Sequence, residues 1–287
     1  MCSIQKITVN AALATQVLNI AKRAGAVIMA VYQEMRQSED GTKTVMLADK
    51  ADCSPLTKAD ILAHQFISKC LEALTPETPV VSEEDEHSLK YRQPTGDFWL
   101  VDPLDGTKEF LAQSGEFTVN IALVRNGKAI LGVVTAPALG HAYWGAEGLG
   151  AFRETAHGIE TIRVTSLGAS GKPLRVIASK SHMNAETIAF MSQLGPCELV
   201  QAGSSLKFCR IAEGAADVYP RLGPTSEWDT AAAQAIVEAA GGHVSTLDGI
   251  SLRYGKPDIL NPYFVASSGP MNNLPGGSPV THNQIYQ

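Results

Sequence analysis

The chain has 287 residues, with 23 Lys and Arg against 29 Asp and Glu, and it is 45% hydrophobic and 18% charged. That balance fits a globular chain large enough for one big domain or two packed subdomains, and a formal net charge of −6 argues against the concentrated basic surface that binds a nucleic-acid polymer. Five scattered cysteines, Cys2, Cys53, Cys70, Cys197 and Cys209, form no C-x-x-C pair, so free thiols and a cytoplasmic protein are expected.

Val17, Ile20, Ala21, Ala24, Ile28 and Val31 recur at three and four residues and predict an amphipathic first helix. The apolar stretch inside it, Ala24 to Tyr32, is too short for a transmembrane segment. Polar residues from Gln33 to Lys50 predict a surface loop. Thr57-Lys-Ala-Asp60 then carries the [ST]-x-x-[DE] helix-entry pattern, and the apolar spacing from Ile61 to Leu74 predicts a second helix packed beside the first. Pro79 to Ser82 and Phe98 to Asp102 are apolar runs that end abruptly in acids, as buried strands do when they deliver carboxylates to one sheet edge. Three further strands, Phe117 to Val124, Ala129 to Thr135 and His141 to Gly145, predict a meander.

Beyond this the rhythm alternates. Strands are expected at Leu174 to Ser179, Glu198 to Gln201, Ala216 to Tyr219, His243 to Ser245 and Phe264 to Ala266, with helices at Asn184 to Leu194, Ser205 to Glu213 and Glu227 to Ala240. The reading divides the chain into an α+β part at 1–160, an α/β part at 161–267, and a flexible tail at 268–287 that is rich in Gly, Pro, Asn and Ser.

Carboxylates cluster at Asp52, at Glu83-Glu84-Asp85-Glu86, at Asp102 with Asp105, and at Asp229. Asp102 and Asp105 stand out because Trp99-Leu-Val101 runs straight into them, Pro103 interrupts ladder pairing and Gly106 permits a tight turn. Two like charges on one turn repel unless a cation lies between them, and oxygen ligands without His or Cys suit a hard ion such as Mg²⁺. Asp229 on its own reads as an acid compensating a helix N-terminus. A D-x-D-G-T phosphatase motif fails because the acids are three apart, and an EF-hand loop fails because position 112 is Ala.

These residues resemble a known family. Asp102-Pro-Leu-Asp-Gly-Thr107, the upstream Ser82-Glu-Glu-Asp85 and the downstream Trp228-Asp-Thr-Ala-Ala232 look like the three signatures of the inositol monophosphatase superfamily, whose members are magnesium-dependent and lithium-sensitive. Lys50 to Asp60, Trp99 to Leu111 and Gly203-Ser-Ser-Leu-Lys-Phe-Cys209 resemble its 3'(2'),5'-bisphosphate nucleotidase branch. The resemblance implies a layered αβαβα sandwich of two subdomains. It also implies two or three Mg²⁺ ions, one held by Glu83, Asp102 and the Leu104 carbonyl and a second by Asp102, Asp105 and Asp229. Asp52 and Thr107 would orient the attacking water and accept its proton.

Glu83, Leu104, Asp105, Gly106, Thr107, His182, Gly203, Ser204, Lys207 and Asp229 would line the substrate site, with a further cation from Arg221. The implied reaction converts adenosine 3',5'-bisphosphate to AMP and phosphate, a disposal step linked to sulfate assimilation, in a monomer or homodimer. Alternatives within the chemistry are inositol monophosphate or fructose 1,6-bisphosphate as substrate. From another class comes a non-catalytic metal- or nucleotide-sensing module. A peripheral place at the inner membrane, described for bacterial relatives, finds no basic segment here to support it.

Overall fold

The structure, a computed structural model, describes residues 7–38, 40, 45–49, 55–167, 173–178 and 184–274. The first helix, α1 (Ala11–Gln37), is capped by Asn10, whose side chain accepts from the Leu13 N–H, and it buries the predicted stripe from Val17 to Val31. It continues through Gln37 where the sequence reading expected loop, and a short hairpin follows, β1 (Met46–Asp49) with β2 (Pro55–Thr57). Helix α2 (Lys58–Leu74) starts as predicted, with Thr57 and Asp60 forming a reciprocal capping box.

A seven-stranded sheet comes next, in spatial order β3 (Val80–Ser82), β4 (Asp97–Asp105), β5 (Thr118–Arg125), β6 (Lys128–Ala136), β7 (His141–Ala146), β8 (Gly150–Thr155) and β9 (Gly158–Ile162). Only β3 and β4 run parallel; the rest is an antiparallel meander. The central strands are covered on both sides, so they read as continuous apolar runs. Trp99, Val101, Ile121 and Leu123 join the core against α1 and α2, whereas Phe98, Leu100, Ala122 and Val124 join the core on the other face. Strands β8 and β9 lie beyond the expected end of the meander at Gly145 and are a correction to it. In β9 every residue but Ile162 is exposed, which removes the burial pattern that reveals a strand.

The second sheet has the order β11 (Cys197–Gln201), β10 (Leu174–Ala178), β12 (Val218–Arg221), β14 (Phe264–Ser267) and β13 (His243–Thr246). Between the two sheets lie α5 (Leu206–Ala212) and α6 (Glu227–Ala239), while α4 (Ala185–Gln193) packs Phe190 on the far face of the second sheet, together with Leu194 just beyond its end. Helix pair, sheet, helix pair, sheet and helix make the five layers of the expected αβαβα sandwich. A short turn, α3 (Thr107–Leu111), follows β4. Residues 268–274, the described part of the segment read as a tail, pack on this unit, with Leu274 buried.

Asp217 ties the segment between the sheets to the second one. It accepts from Thr165 Oγ1 at 2.9 Å and from Arg175 through N, Nε and Nη2 at 2.8, 3.0 and 2.7 Å. Burial pushes its carboxyl up, but the hydrogen bonds from Arg175 and Thr165 outweigh that and hold it below the usual carboxylate range. Stabilisation from a depressed acid is complete above its unfolded pKa of about 3.9 and disappears as pH falls through the lower folded value. Asp217→Asn should therefore melt well below the wild type near neutral pH, with the two thermal midpoints converging in acid. Melting curves that stay equally far apart from about pH 6 to pH 3 would contradict this assignment.

Candidate active site

Strand β4 delivers the acids to its C-terminal end as the sequence suggested. Its ladder with β5 slips between Asp102 and Asp105, across Pro103. Asp102 is buried and its Oδ1 accepts the Leu104 N–H at 3.0 Å, which folds the bulge onto itself. Gly106 then adopts a left-handed conformation at φ 92°, turning the chain into α3. Beneath this turn Tyr32 of α1, Phe110 of α3 and Phe117 form a triangle of rings with centroids 5.2 to 5.3 Å apart, which fixes the turn from below.

Thr107 points back over the bulge. Its Oγ1 lies 3.3 Å from the Leu104 carbonyl and 3.4 Å from Asp60 Oδ1. The other oxygen of Asp60 accepts from Thr57 N at 2.8 Å and from Thr57 Oγ1 at 2.5 Å. Asp60 thus caps α2 with one oxygen and meets Thr107 with the other. The sequence reading paired Thr107 with Asp52 instead. Asp52 and His182 both lie outside the described residues.

From the second half, Asp229 sits in the first turn of α6, where its Oδ2 accepts the Ser226 N–H at 2.8 Å. That turn is anchored by Glu227, which is fully buried. Glu227 accepts from Gly255 N at 2.8 Å and pairs with Lys256 at 2.5 Å and Arg92 at 3.3 Å. Although part of Asp229 reaches solvent, its carboxyl is held well above the ordinary carboxylate range, first by burial and then by repulsion from Asp105 and Glu83. Three of the predicted ligands therefore share one electrostatic neighbourhood. Glu83 enters it from the end of β3, with its N–H bonded to the Val101 carbonyl at 3.1 Å.

Ser204, Ser205 and Lys207 close the site. Both serines bond Asp105 Oδ2. Gly203 is packed so tightly that a Cβ there would stand 2.9 Å from both Cβ and the carbonyl oxygen of Glu116. Lys207 is buried, with its ammonium 5.7 Å from the Tyr219 ring centre; burial lowers its pKa, an effect Asp105 opposes and Arg221 reinforces. Asp105, Asp229, Lys207 and Arg221 line one recess of about 80 Å³. Arg221 was singled out only as a possible added cation; its Nη2 donates to the Pro224 carbonyl at 2.8 Å, while its buried Nε has no hydrogen-bond partner among the described residues.

Among the described residues, no three Asp, Glu, His or Cys side chains already form a ready metal cluster. The donor chemistry nonetheless fits a hard dication. It consists of carboxylate and carbonyl oxygens, and the Oδ1 of the buried Asn120 beside them is an acceptor without a donor among the described residues, a need that a hydrated cation meets.

The acids thus lie at the C-terminal end of β4 and in the first turn of α6, within an αβαβα sandwich. Residues 10–281 match the inositol monophosphatase family. The curated 3'(2'),5'-bisphosphate nucleotidase CysQ of Escherichia coli strain K12 is 48% identical over 253 residues, 88% of this chain and 98% of that protein. The CysQ of Haemophilus influenzae is 35% identical and covers 90% of this chain and 94% of its own length. A crystal structure of CysQ from Bacteroides thetaiotaomicron matches with a TM-score of 0.77 at 37% identity, covering 90% of this chain and 97% of that one. An inositol monophosphatase from Anabaena, at 22% identity and TM-score 0.70 over 94% of this chain and 98% of its own, shares the fold. The chain belongs to the inositol monophosphatase family, which is generally magnesium-dependent, and it is a phosphoric monoester hydrolase. No helix among the described residues is long and apolar enough to cross a membrane.

Proposed function

We propose that the chain is a Mg²⁺-dependent 3'(2'),5'-bisphosphate nucleotidase that hydrolyses adenosine 3',5'-bisphosphate to AMP and phosphate in the cytoplasm. The observation that carries this reading is the single recess that joins two acids, Asp105 and Asp229, to two cations, Lys207 and Arg221. A substrate with two phosphates on one ribose needs both kinds of contact, one at the scissile group and one at the group that is kept. The nucleotidase relatives named above support the same choice.

Glu83, Asp102, the Leu104 carbonyl, Asp105 and Asp229 would hold Mg²⁺, which when bound supplies Lewis-acid activation of water and charge relief on the leaving ribose oxygen. Thr107 and Asp60 move the proton. The water oxygen forms its bond to phosphorus as one of its protons passes to Thr107 Oγ1, whose own proton passes to Asp60 Oδ1. The bond from phosphorus to the 3' oxygen breaks, and that oxygen takes a proton from solvent. Gly106 and Thr107 N–H groups would hold the departing phosphate, while Lys207 and Arg221 hold the 5'-phosphate.

Phosphate release from adenosine 3',5'-bisphosphate, inositol 1-phosphate and fructose 1,6-bisphosphate, compared side by side with Mg²⁺ and with or without Li⁺, tests this. The nucleotide should be strongly preferred, Li⁺ should inhibit, and Lys207→Met should raise KM for the nucleotide more than for inositol 1-phosphate. Preference for either of the other substrates would overturn the nucleotide assignment and leave the phosphatase chemistry standing.

A further inference from the structure

The carboxylate of Asp105 is held with unusual completeness by residues that the expected ligand set leaves out. Its Oδ2 accepts from Ser204 Oγ at 2.5 Å, Ser205 N at 2.7 Å and Ser205 Oγ at 2.8 Å, and it lies 3.3 Å from Thr118 Oγ1 and 3.4 Å from Asn120 Nδ2. All of these donors meet one oxygen. Among the described residues Oδ1 accepts none, so it is the oxygen that would face a cation.

Ser205 does more than bind Asp105. Its hydroxyl also lies 2.9 Å from the Asp229 carbonyl oxygen and accepts from Asn120 Nδ2 at 2.9 Å. A hydroxyl has one proton, so the Ser205 O–H serves either Asp105 or the Asp229 carbonyl at a given moment, whereas its N–H holds Asp105 throughout. The side chain is buried. Ser204, before it, sits in the left-handed region at φ 51°, and its hydroxyl lies 2.8 Å from the Asp105 carbonyl oxygen, 2.5 Å from the carboxylate and 2.8 Å from Thr118 Oγ1, so its one proton likewise serves one partner at a time. Two of its three partners are oxygens of Asp105.

We propose that Ser205 is a positioning residue: it fixes the Asp105 carboxylate, ties it to the backbone of Asp229, and thereby presets the spacing that a divalent cation finds, with Ser204 as its helper. This rests on the reading that Asp105 and Asp229 are cation ligands. Partners that orient ligating carboxylates typically govern affinity by 10- to 100-fold.

The test is Mg²⁺ binding to the substrate-free full chain, measured by calorimetry for the wild type, Ser205→Ala, Ser204→Gly and Asp105→Asn. Ser205→Ala should weaken Mg²⁺ binding by about 10- to 100-fold and raise the Mg²⁺ concentration for half-maximal rate in step, while KM for the nucleotide at saturating Mg²⁺ stays put. Ser204→Gly, which suits the left-handed backbone and removes the hydroxyl together with Cβ, should shift Mg²⁺ binding in the same direction and carries the test if Ser205→Ala fails to fold. Serine variants that bind Mg²⁺ like the wild type, beside an Asp105→Asn that has lost it, overturn the positioning role alone. Asp105→Asn binding like the wild type overturns the ligand reading, and the proposal with it. A rise in nucleotide KM with unchanged Mg²⁺ binding would return the serines to substrate contact.

Discussion

Asp60→Asn is expected to lower kcat on the order of 10³-fold with little loss of folding stability, the size of effect typical of a lost proton acceptor. An amide can still offer its oxygen to Thr57 N, so most of the cap on α2 survives, but its NH₂ cannot take the proton of Thr107. The companion variant Thr57→Ala separates the two roles. It removes the hydroxyl side of the capping box and should cost about 1 kcal/mol of stability while sparing most of the rate. Steady-state kinetics and urea melts on both variants check this. An Asp60→Asn enzyme with near wild-type kcat would end the assignment of Asp60 and return the proton to Asp52.

Gly132→Ala should be among the most damaging substitutions far from the acids. A Cβ there would stand 1.9 Å from the Ala232 carbonyl oxygen, 2.7 Å from its carbon and 3.0 Å from its Cα. Those are backbone atoms of α6, so no rotamer change relieves them and the helix must shift. Overpacking of this kind costs about 3 kcal/mol, and the shift is passed to Asp229 one turn earlier on the same helix. Both the urea midpoint and kcat should fall. Trimming the partner, as in Gly132→Ala with Ala232→Gly, should give no rescue, because the obstacle is not a side chain. A Gly132→Ala variant as stable as the wild type would mean that α6 has room the packing denies.

The contrast between Asp102 and Asp60 explains what was legible in the sequence. The Asp102–Asp105 turn could be read directly, since an apolar run ending in two acids around Pro103 has no simple role in packing. Asp60 could not be, because [ST]-x-x-[DE] already accounts for it as a cap, and that account is true as far as it goes. Only the fold brings Thr107 back over it, 47 residues later. Ser205 was hidden for a similar reason: a serine before a helix suggests a cap, yet this one makes no cap bond and turns to Asp105 instead. The central strands could be read because, covered on both faces, they are continuous apolar runs, whereas the five-layer arrangement came with the family resemblance and β9 was missed because one exposed edge strand lacks any such signature.

The order of the second sheet has a consequence for biosynthesis. Strand β14, Phe264–Ser267, is inserted between β12 and β13, and β13 has no other neighbour in the sheet. Until the ribosome has delivered that strand, β12 keeps one open edge and β13 cannot join at all, with their apolar residues uncovered and liable to aggregate. A chain stopped by a nonsense codon before Phe264 would thus be clogging material for proteolysis rather than a shortened enzyme, and an affinity tag at the C-terminus reports only on molecules that carry the strand.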